Sequence, residues 1–223
     1  MSSHSLEPEA PNLKVPTGHP ETRGAATHPI LRIAYQGEPG AYGEVAILAQ
    51  WGDRAVPVPC ARFEDVGRLL CERGADSALL PVENSTIGAI RDAIDVIERY
   101  GLHVTGEHVL HVRHCLLGVA GARMESLRIV RSHQAALAQC ARFLRAHTWL
   151  RAESVLDTAG AAREIARERD PAIAAIASSG AAARHGLDIL AADIQDEPDN
   201  RTRFAIVEPG PLARSRRTAS SLP

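Results

Sequence analysis

The chain has 223 residues, 45% of them hydrophobic, enough for one large domain or two small lobes with a proper core. Aromatics make up only 4%, so that core must be aliphatic. A formal charge of -2 lacks the basic excess that phosphate neutralisation needs, which excludes nucleic acid as a default partner, and no apolar run is long enough to span a bilayer.

Residues 1–29 are polar and proline-rich and read as a disordered arm. They hold no apolar h-region, so an export signal is not expected and a cytoplasmic location is. From residue 31 the pattern alternates. Residues 31–35 read as a strand ending in the turn Gly37-Glu38-Pro39-Gly40, and 41–51 as a helix. A short strand at 56–58, a helix at 63–73, a strand at 77–82 and a helix at 87–100 follow. Residues 102–119 are β-branched and alternating, and read as an extended segment crossing between lobes. The alternation then resumes: strands at 127–130, 152–156 and 172–177, helices at 134–145, 159–168 and 180–185. A polar turn, Pro198-Asp199-Asn200-Arg201, leads to a last strand through Ala205-Ile206-Val207, and 210–223 read as a loose tail. Strands alternating with helices imply mostly parallel sheets covered by helices. The expected class is α/β, with one lobe over 30–108 plus 190–209, a second over 109–189, and a central cleft between them.

In such sheets ligands bind beyond the carboxyl ends of the strands. Four junctions there carry small polar residues: Glu83-Asn84-Ser85-Thr86, Ser132-His133-Gln134, Asp157-Thr158-Ala159-Gly160 and Ser178-Ser179-Gly180. Each alone is accounted for by helix capping. Together, several helix N-termini facing one cleft would suit a small polycarboxylate. Arg203 offers a fixed fork for a carboxylate, and Glu83 a base or a structural hydrogen bond. His108, His111 and His114 recur at spacing three, which on a strand splits them between two faces, so no metal site is expected. The cysteines, at 60, 71, 115 and 140, match no zinc pattern and are expected to be buried, reduced thiols.

Motifs in this order carry a family resemblance from about Ile33 to Val207. Ala34-Tyr35-Gln36-Gly37 through Gly40-Ala41-Tyr42 is similar to an opening glycine loop, and Leu80-Pro81-Val82-Glu83-Asn84-Ser85 with Gly88 to a "PVENS…G" motif. Ser132-His133 with Ala136-Leu137-Ala138-Gln139-Cys140 is similar to "SHPQALAQC", and Asn200-Arg201-Thr202-Arg203-Phe204 to "NxTRF". Asp157-Thr158-Ala159-Gly160-Ala161-Ala162 and Ala174-Ala175-Ile176-Ala177-Ser178 also fit. The chain thus resembles the catalytic domain of prephenate and arogenate dehydratases.

The resemblance implies two α/β lobes similar to type II periplasmic binding proteins. It implies loss of carbon dioxide and of the ring hydroxyl from prephenate, giving phenylpyruvate, or from arogenate, giving phenylalanine. It implies no cofactor. Thr202 is the expected catalytic residue, a donor to the leaving oxygen, with Arg203 near the substrate carboxylates or holding the Thr202 loop. Ala41, Tyr42, Glu83, Asn84, Ser85, Ser132, His133, Thr158, Ala159, Asn200 and Phe204 are the expected substrate-binding residues. Two positions depart from the family: Gly43 replaces Ser or Thr, and Gln134 replaces Pro. The family's ACT domain would follow Phe204, but the chain ends at Pro223, so feedback through it is not expected within this polypeptide. A homodimer is expected as the common default. Two other readings stay open: a prephenate decarboxylase that does not aromatise the ring, and a non-catalytic ligand-binding protein.

Overall fold

The computed structural model describes residues 29–210; the arm expected at 1–29 and the tail at 210–223 lie outside them apart from Pro29 and Gly210. In chain order the elements are β1 (Leu31–Gln36), α1 (Tyr42–Trp51), β2 (Ala55–Cys60), α2 (Phe63–Cys71), β3 (Ser77–Asn84), β4 (Gly88–Ala89), α3 (Arg91–Arg99) and β5 (Leu102–His111). After these come β6 (Cys115–Gly118), β7 (Ile129–His133), α4 (Gln134–Gln139), α5 (Ala141–Ala146), β8 (Arg151–Val155), α6 (Thr158–Glu168), β9 (Ile173–Ala177), α7 (Ser179–His185), β10 (Asp188–Ala191) and β11 (Arg201–Pro209).

The strands form two sheets, ordered β2-β1-β3-β11-β5, with β4 on β3, and β10-β6-β9-β7-β8. The central strands of each sheet are buried on both faces. Ala34, Leu80 and Val207 pack under α2 and α3, while Ile33, Leu79 and Phe204 pack under α1. In the second sheet Leu117, Ala175 and Ile165 form one core, and Leu116, Ile176 and Cys140 the other. Strands covered on both sides need unbroken apolar runs, and β6 (CLLG) and β9 (IAAIA) are buried throughout. This is the expected α/β fold of two lobes about a cleft.

Most strands of each sheet run in one direction, with β11 opposed in the first and the short β6 in the second. β11 pairs antiparallel with both β3 and β5, and β6 pairs antiparallel with both β10 and β9. These are the first strands laid down after each passage between lobes. The passages run through 112–114 and 192–200, and their backbones meet where Val112 N donates to Asn200 O at 2.8 Å. β5 runs to His111 in the first sheet, and β10 runs to Ala191 in the second.

The stretch 102–119 is extended and crosses from one sheet to the other, as expected, with β5 in the first and β6 in the second. Three local expectations are corrected. The helix expected from 87 starts at Arg91, after Gly88–Ala89 has folded back onto β3. The helix expected over 134–145 breaks at Cys140, where φ is -114 and ψ is 25. The third correction concerns the thiols: Cys60, Cys115 and Cys140 are buried, but Cys71, at the end of α2, is exposed.

The lobes touch at few but specific points. Gly40 has φ +93, and a Cβ there would lie 2.7 Å from Ala181 Cα, so only glycine lets the β1–α1 loop approach α7 this closely. Ser178 Oγ donates to Gly40 O at 2.7 Å across the same contact. Arg163 Nη1 meets both carboxylate oxygens of Glu38, at 3.0 and 2.9 Å.

Candidate active site

Between the lobes lies a cleft of about 330 Å³, the size of a small-molecule site. Strand alternation decides what β11 offers it. Thr202 and Phe204 line the cleft, and Arg203 between them faces the other side. Thr202 pairs in register with Asn84 of β3, and Arg203 with Glu83.

Asn84 fixes Thr202. Its Oδ1 accepts from Thr86 N at 3.0 Å, Thr86 Oγ1 at 2.6 Å and Ile87 N at 3.3 Å. Backbone N–H groups only donate, so this oxygen cannot be exchanged with the amide nitrogen. Asn84 Nδ2 is therefore the end facing Asn200 Oδ1 at 2.8 Å, Arg201 O at 3.0 Å and Thr202 Oγ1 at 3.0 Å. Thr202 Oγ1 is thus an acceptor in its one side-chain hydrogen bond among the described residues. Its own proton has no protein acceptor there, and the side chain lines the cleft.

A second chain of hydrogen bonds runs behind the first. Asn200 Nδ2 donates to Gln139 Oε1 at 3.2 Å, and Gln139 Nε2 donates to Thr86 Oγ1 at 2.6 Å, bridging the lobes. Gln139 Oε1 also faces His114 Nε2 at 2.8 Å, so that nitrogen carries a proton. His114 Nδ1 lies 2.7 Å from Tyr42 Oη. Burial pushes His114 below its ordinary value, against a smaller opposing effect of the Gln139 hydrogen bond. A neutral ring leaves Nδ1 an acceptor, which shares the single Tyr42 hydroxyl proton with Arg113 O at 3.0 Å, and burial holds the Tyr42 phenol well above its ordinary range.

The expected site residues fall into two groups. Ala41, Tyr42, Asn84, His133, Thr158, Thr202 and Phe204 line the cleft. His133 Nδ1 accepts from Ala135 N at 3.2 Å and caps α4, leaving Nε2 to carry the ring proton. The others do not line it. Ser132 is fully buried, donating to Ile176 O at 2.6 Å, and Ala159 is buried beneath Thr158. Asn200 is buried in the network behind Thr202. Ser85 Oγ accepts from Arg201 N at 2.9 Å and ties the β3 turn to β11. Arg203 is paired with Glu83 at 2.8 Å and Glu107 at 2.7 Å, joining β11 to β3 and β5. Glu83 is accordingly a partner of Arg203 rather than a group in the cleft.

Sequence reasoning gave no role to Thr86, His114, Gln139 or Asp157. Thr86, Gln139 and Asp157 sit in motifs or junctions already singled out, and His114 in the histidine cluster; Thr86, His114 and Asp157 are polar residues next to strand ends, while Gln139 ends α4. Asp157 lines the cleft as the N-cap of α6, its Oδ1 accepting from Gly160 N at 2.6 Å. It is the only acidic residue on the cleft wall among the described residues, and no arginine or lysine joins it there. His108 and His111 lie apart from His114: His108 is bonded to Gln50 at 2.9 Å, and His111 is 3.9 Å from Asp199.

Residues 33–211 match the prephenate dehydratase family model. The chain belongs to the prephenate dehydratase family. It is 45% identical over 186 residues to an arogenate dehydratase/prephenate dehydratase of Arabidopsis thaliana, covering 82% of this chain and 47% of that protein. Among solved structures it is similar to GqqA, described as a novel type of quorum-quenching acylase (34% identity, TM-score 0.74, 81% of this chain and 64% of that one). It is also similar to prephenate dehydratase of Arthrobacter aurescens in complex with L-Phe (27% identity, TM-score 0.75, 81% and 61%). The chain spans about half the length of the curated relatives it matches.

Membership corrects one expectation and explains one departure. The cytoplasmic location is overturned: several Arabidopsis thaliana relatives are chloroplastic by name. A missing h-region argues only against a secretory signal, because organelle transit peptides have none. At Gly43, where the family usually has Ser or Thr, an added Cβ would lie 3.0 Å from the Tyr35 ring, so glycine here goes with Tyr35 packed against α1.

Proposed function

We propose that this chain carries out the dehydratase reaction, as a carbon–oxygen lyase acting on prephenate or arogenate in phenylalanine biosynthesis. The observation that carries the proposal is the Thr202 hydroxyl, whose oxygen is held by Asn84 and whose proton is uncommitted, on the wall of a small cleft. In this reaction the bond from the ring to its carboxylate breaks and carbon dioxide leaves. The electron pair moves through the diene and expels hydroxide from the opposite ring carbon. Aromatisation drives the change, so the protein must mainly stabilise the departing oxygen. A hydrogen bond from Thr202 does that. Asn84 holds Thr202 through an amide that cannot rotate without losing its partners on both sides, so the donor is positioned before substrate arrives. The remaining anionic groups find His133 Nε2 and the free N–H groups at the starts of α1 and α6.

The two sheets are, in this reading, the two lobes of the catalytic domain, joined at 112–114 and 192–200. A homodimer completes the proposal. It is supported by β5, an edge strand whose Val104 and Val109 are about half exposed, and light scattering of the purified chain checks it.

Product identification tests the function. Prephenate and arogenate are supplied separately at neutral or mildly basic pH, without acid quenching and with Thr202→Ala beside the unaltered chain. Phenylpyruvate or phenylalanine above that control is the expected result. Carbon dioxide with a non-aromatic product would make the chain a decarboxylase, and no turnover of either compound would overturn the reading.

A further inference from the structure

The two candidate substrates differ only at the end of the ring substituent: one ends in an α-keto acid, the other in an α-ammonium carboxylate. The first brings two negative charges and no positive one; the second brings a cation. The charge on the cleft wall is therefore a test of which one fits.

That wall holds the carboxylate of Asp157 and, among the described residues, no arginine or lysine. Capping α6 uses only one of its oxygens: Oδ1 accepts from Gly160 N, and Oδ2 has no protein donor among the described residues. Ser, Thr or Asn would cap as well, so the cap does not account for the second oxygen. Position 160 leaves that oxygen uncovered, because a side chain there would put Cβ 2.7 Å from it and the residue is glycine. Thr202 lies on the first lobe and Asp157 on the second, facing one cleft. A ring whose hydroxyl meets Thr202 directs its opposite carbon, which bears the substituent, towards the other lobe.

We propose that Asp157 is the specificity-determining residue of this cleft, its free oxygen pairing with the α-ammonium group of an amino-acid substrate and disfavouring the α-keto acid. The assignment rests on the dehydratase reading. The ammonium of arogenate meets Oδ2, and its side-chain carboxylate meets the N–H groups at the start of α6. A keto acid presents only a carboxylate and a carbonyl to the same oxygen, and like charges repel there.

Asp157→Asn separates charge from capping, because it keeps the accepting oxygen and removes the negative charge. The full chain and this variant are assayed with arogenate and prephenate in parallel, after circular dichroism melting has shown that both fold. The unaltered chain is expected to have the higher kcat/KM for arogenate. In the variant the arogenate-to-prephenate ratio is expected to fall about 10- to 100-fold, the worth of one charge-assisted hydrogen bond, with the loss in KM for arogenate and a gain for prephenate. Asp157→Ser is expected to move the ratio the same way. Calorimetry with the products adds a readout without turnover: the variant should lose affinity for L-phenylalanine and not for phenylpyruvate. A ratio unchanged in both variants, with the two substrates falling together, would overturn the assignment and leave Asp157 a helix cap. Turnover of neither substrate by the unaltered chain would instead bring down the dehydratase reading, and this assignment with it.

Discussion

At Thr202 the sheet supplies a donor to the hydroxyl oxygen, Asn84 Nδ2 at 3.0 Å, and among the described residues no acceptor for its proton. Thr202→Ala removes the donor and is expected to lower kcat by about 10²-fold or more, while Thr202→Ser, which keeps it, retains most activity; steady-state kinetics distinguish them. One residue along, alternation reverses the role. Arg203 sits in ion pairs about half open to water, which contribute about 0–1 kcal/mol. Arg203→Ala should shift the unfolding midpoint slightly and leave KM nearly unchanged; a large rise in KM would place the guanidinium on the substrate after all. His114 makes stability depend on pH. Burial depresses its folded pKa below the ordinary 6.5, so on acidification the unfolded chain takes up the proton first. The stability it contributes is present above about pH 6.5 and is lost as pH falls from there towards the depressed folded value. His108 is depressed in the same direction by burial. Denaturant midpoints should therefore drop between about pH 7.5 and about pH 5.5, and drop less in His114→Gln.

The alternation of strands and helices was legible because apolar periodicity sets it directly, and most element centres follow it. What the sequence concealed came from distant partners. Residues 134–145 keep an apolar helical rhythm, but Asp196 enters at Cys140: its backbone N donates to Gln139 O, and its carboxylate accepts from Arg142 N. Those bonds replace the helical ones that the break forfeits, and they come from a residue 54 positions beyond Arg142. Glu83-Asn84-Ser85-Thr86 looked like a helix cap because Asn84 does cap N–H groups, those of Thr86 and Ile87, but within a turn that returns to the sheet. For the site, motif order pointed to Thr202, Asn84 and Tyr42, yet it could not separate Ser132 or Glu83 from them, since face and burial are set only when strands pair. The lobe contact at Gly40 is tested at this scale. Gly40→Ala meets both a left-handed φ and the Ala181 backbone, and should cost about 1–3 kcal/mol in denaturant unfolding.

At the scale of the whole molecule, the second sheet is built from one unbroken stretch, 115–191, whereas the first is assembled from both sides of it. In the first sheet β11 stands between β3 and β5 and is the sole strand joining them. A chain stopped after Asn200 should lose amide-exchange protection across Ser77–Asn84 and Leu102–His111 and keep it in β7 and β9. Loss in both sheets would mean that the lobes fold as one unit.

The position of β11 has a consequence in time. A ribosome makes the chain from its N-terminus, and β11 is the last strand of the described fold to emerge. The same nine residues close the first sheet and carry Thr202. A nascent chain therefore has no donor for the reaction until the sheet that would hold it can also be completed, and during synthesis the gap between β3 and β5 waits for a strand that any β-prone segment nearby could fill first.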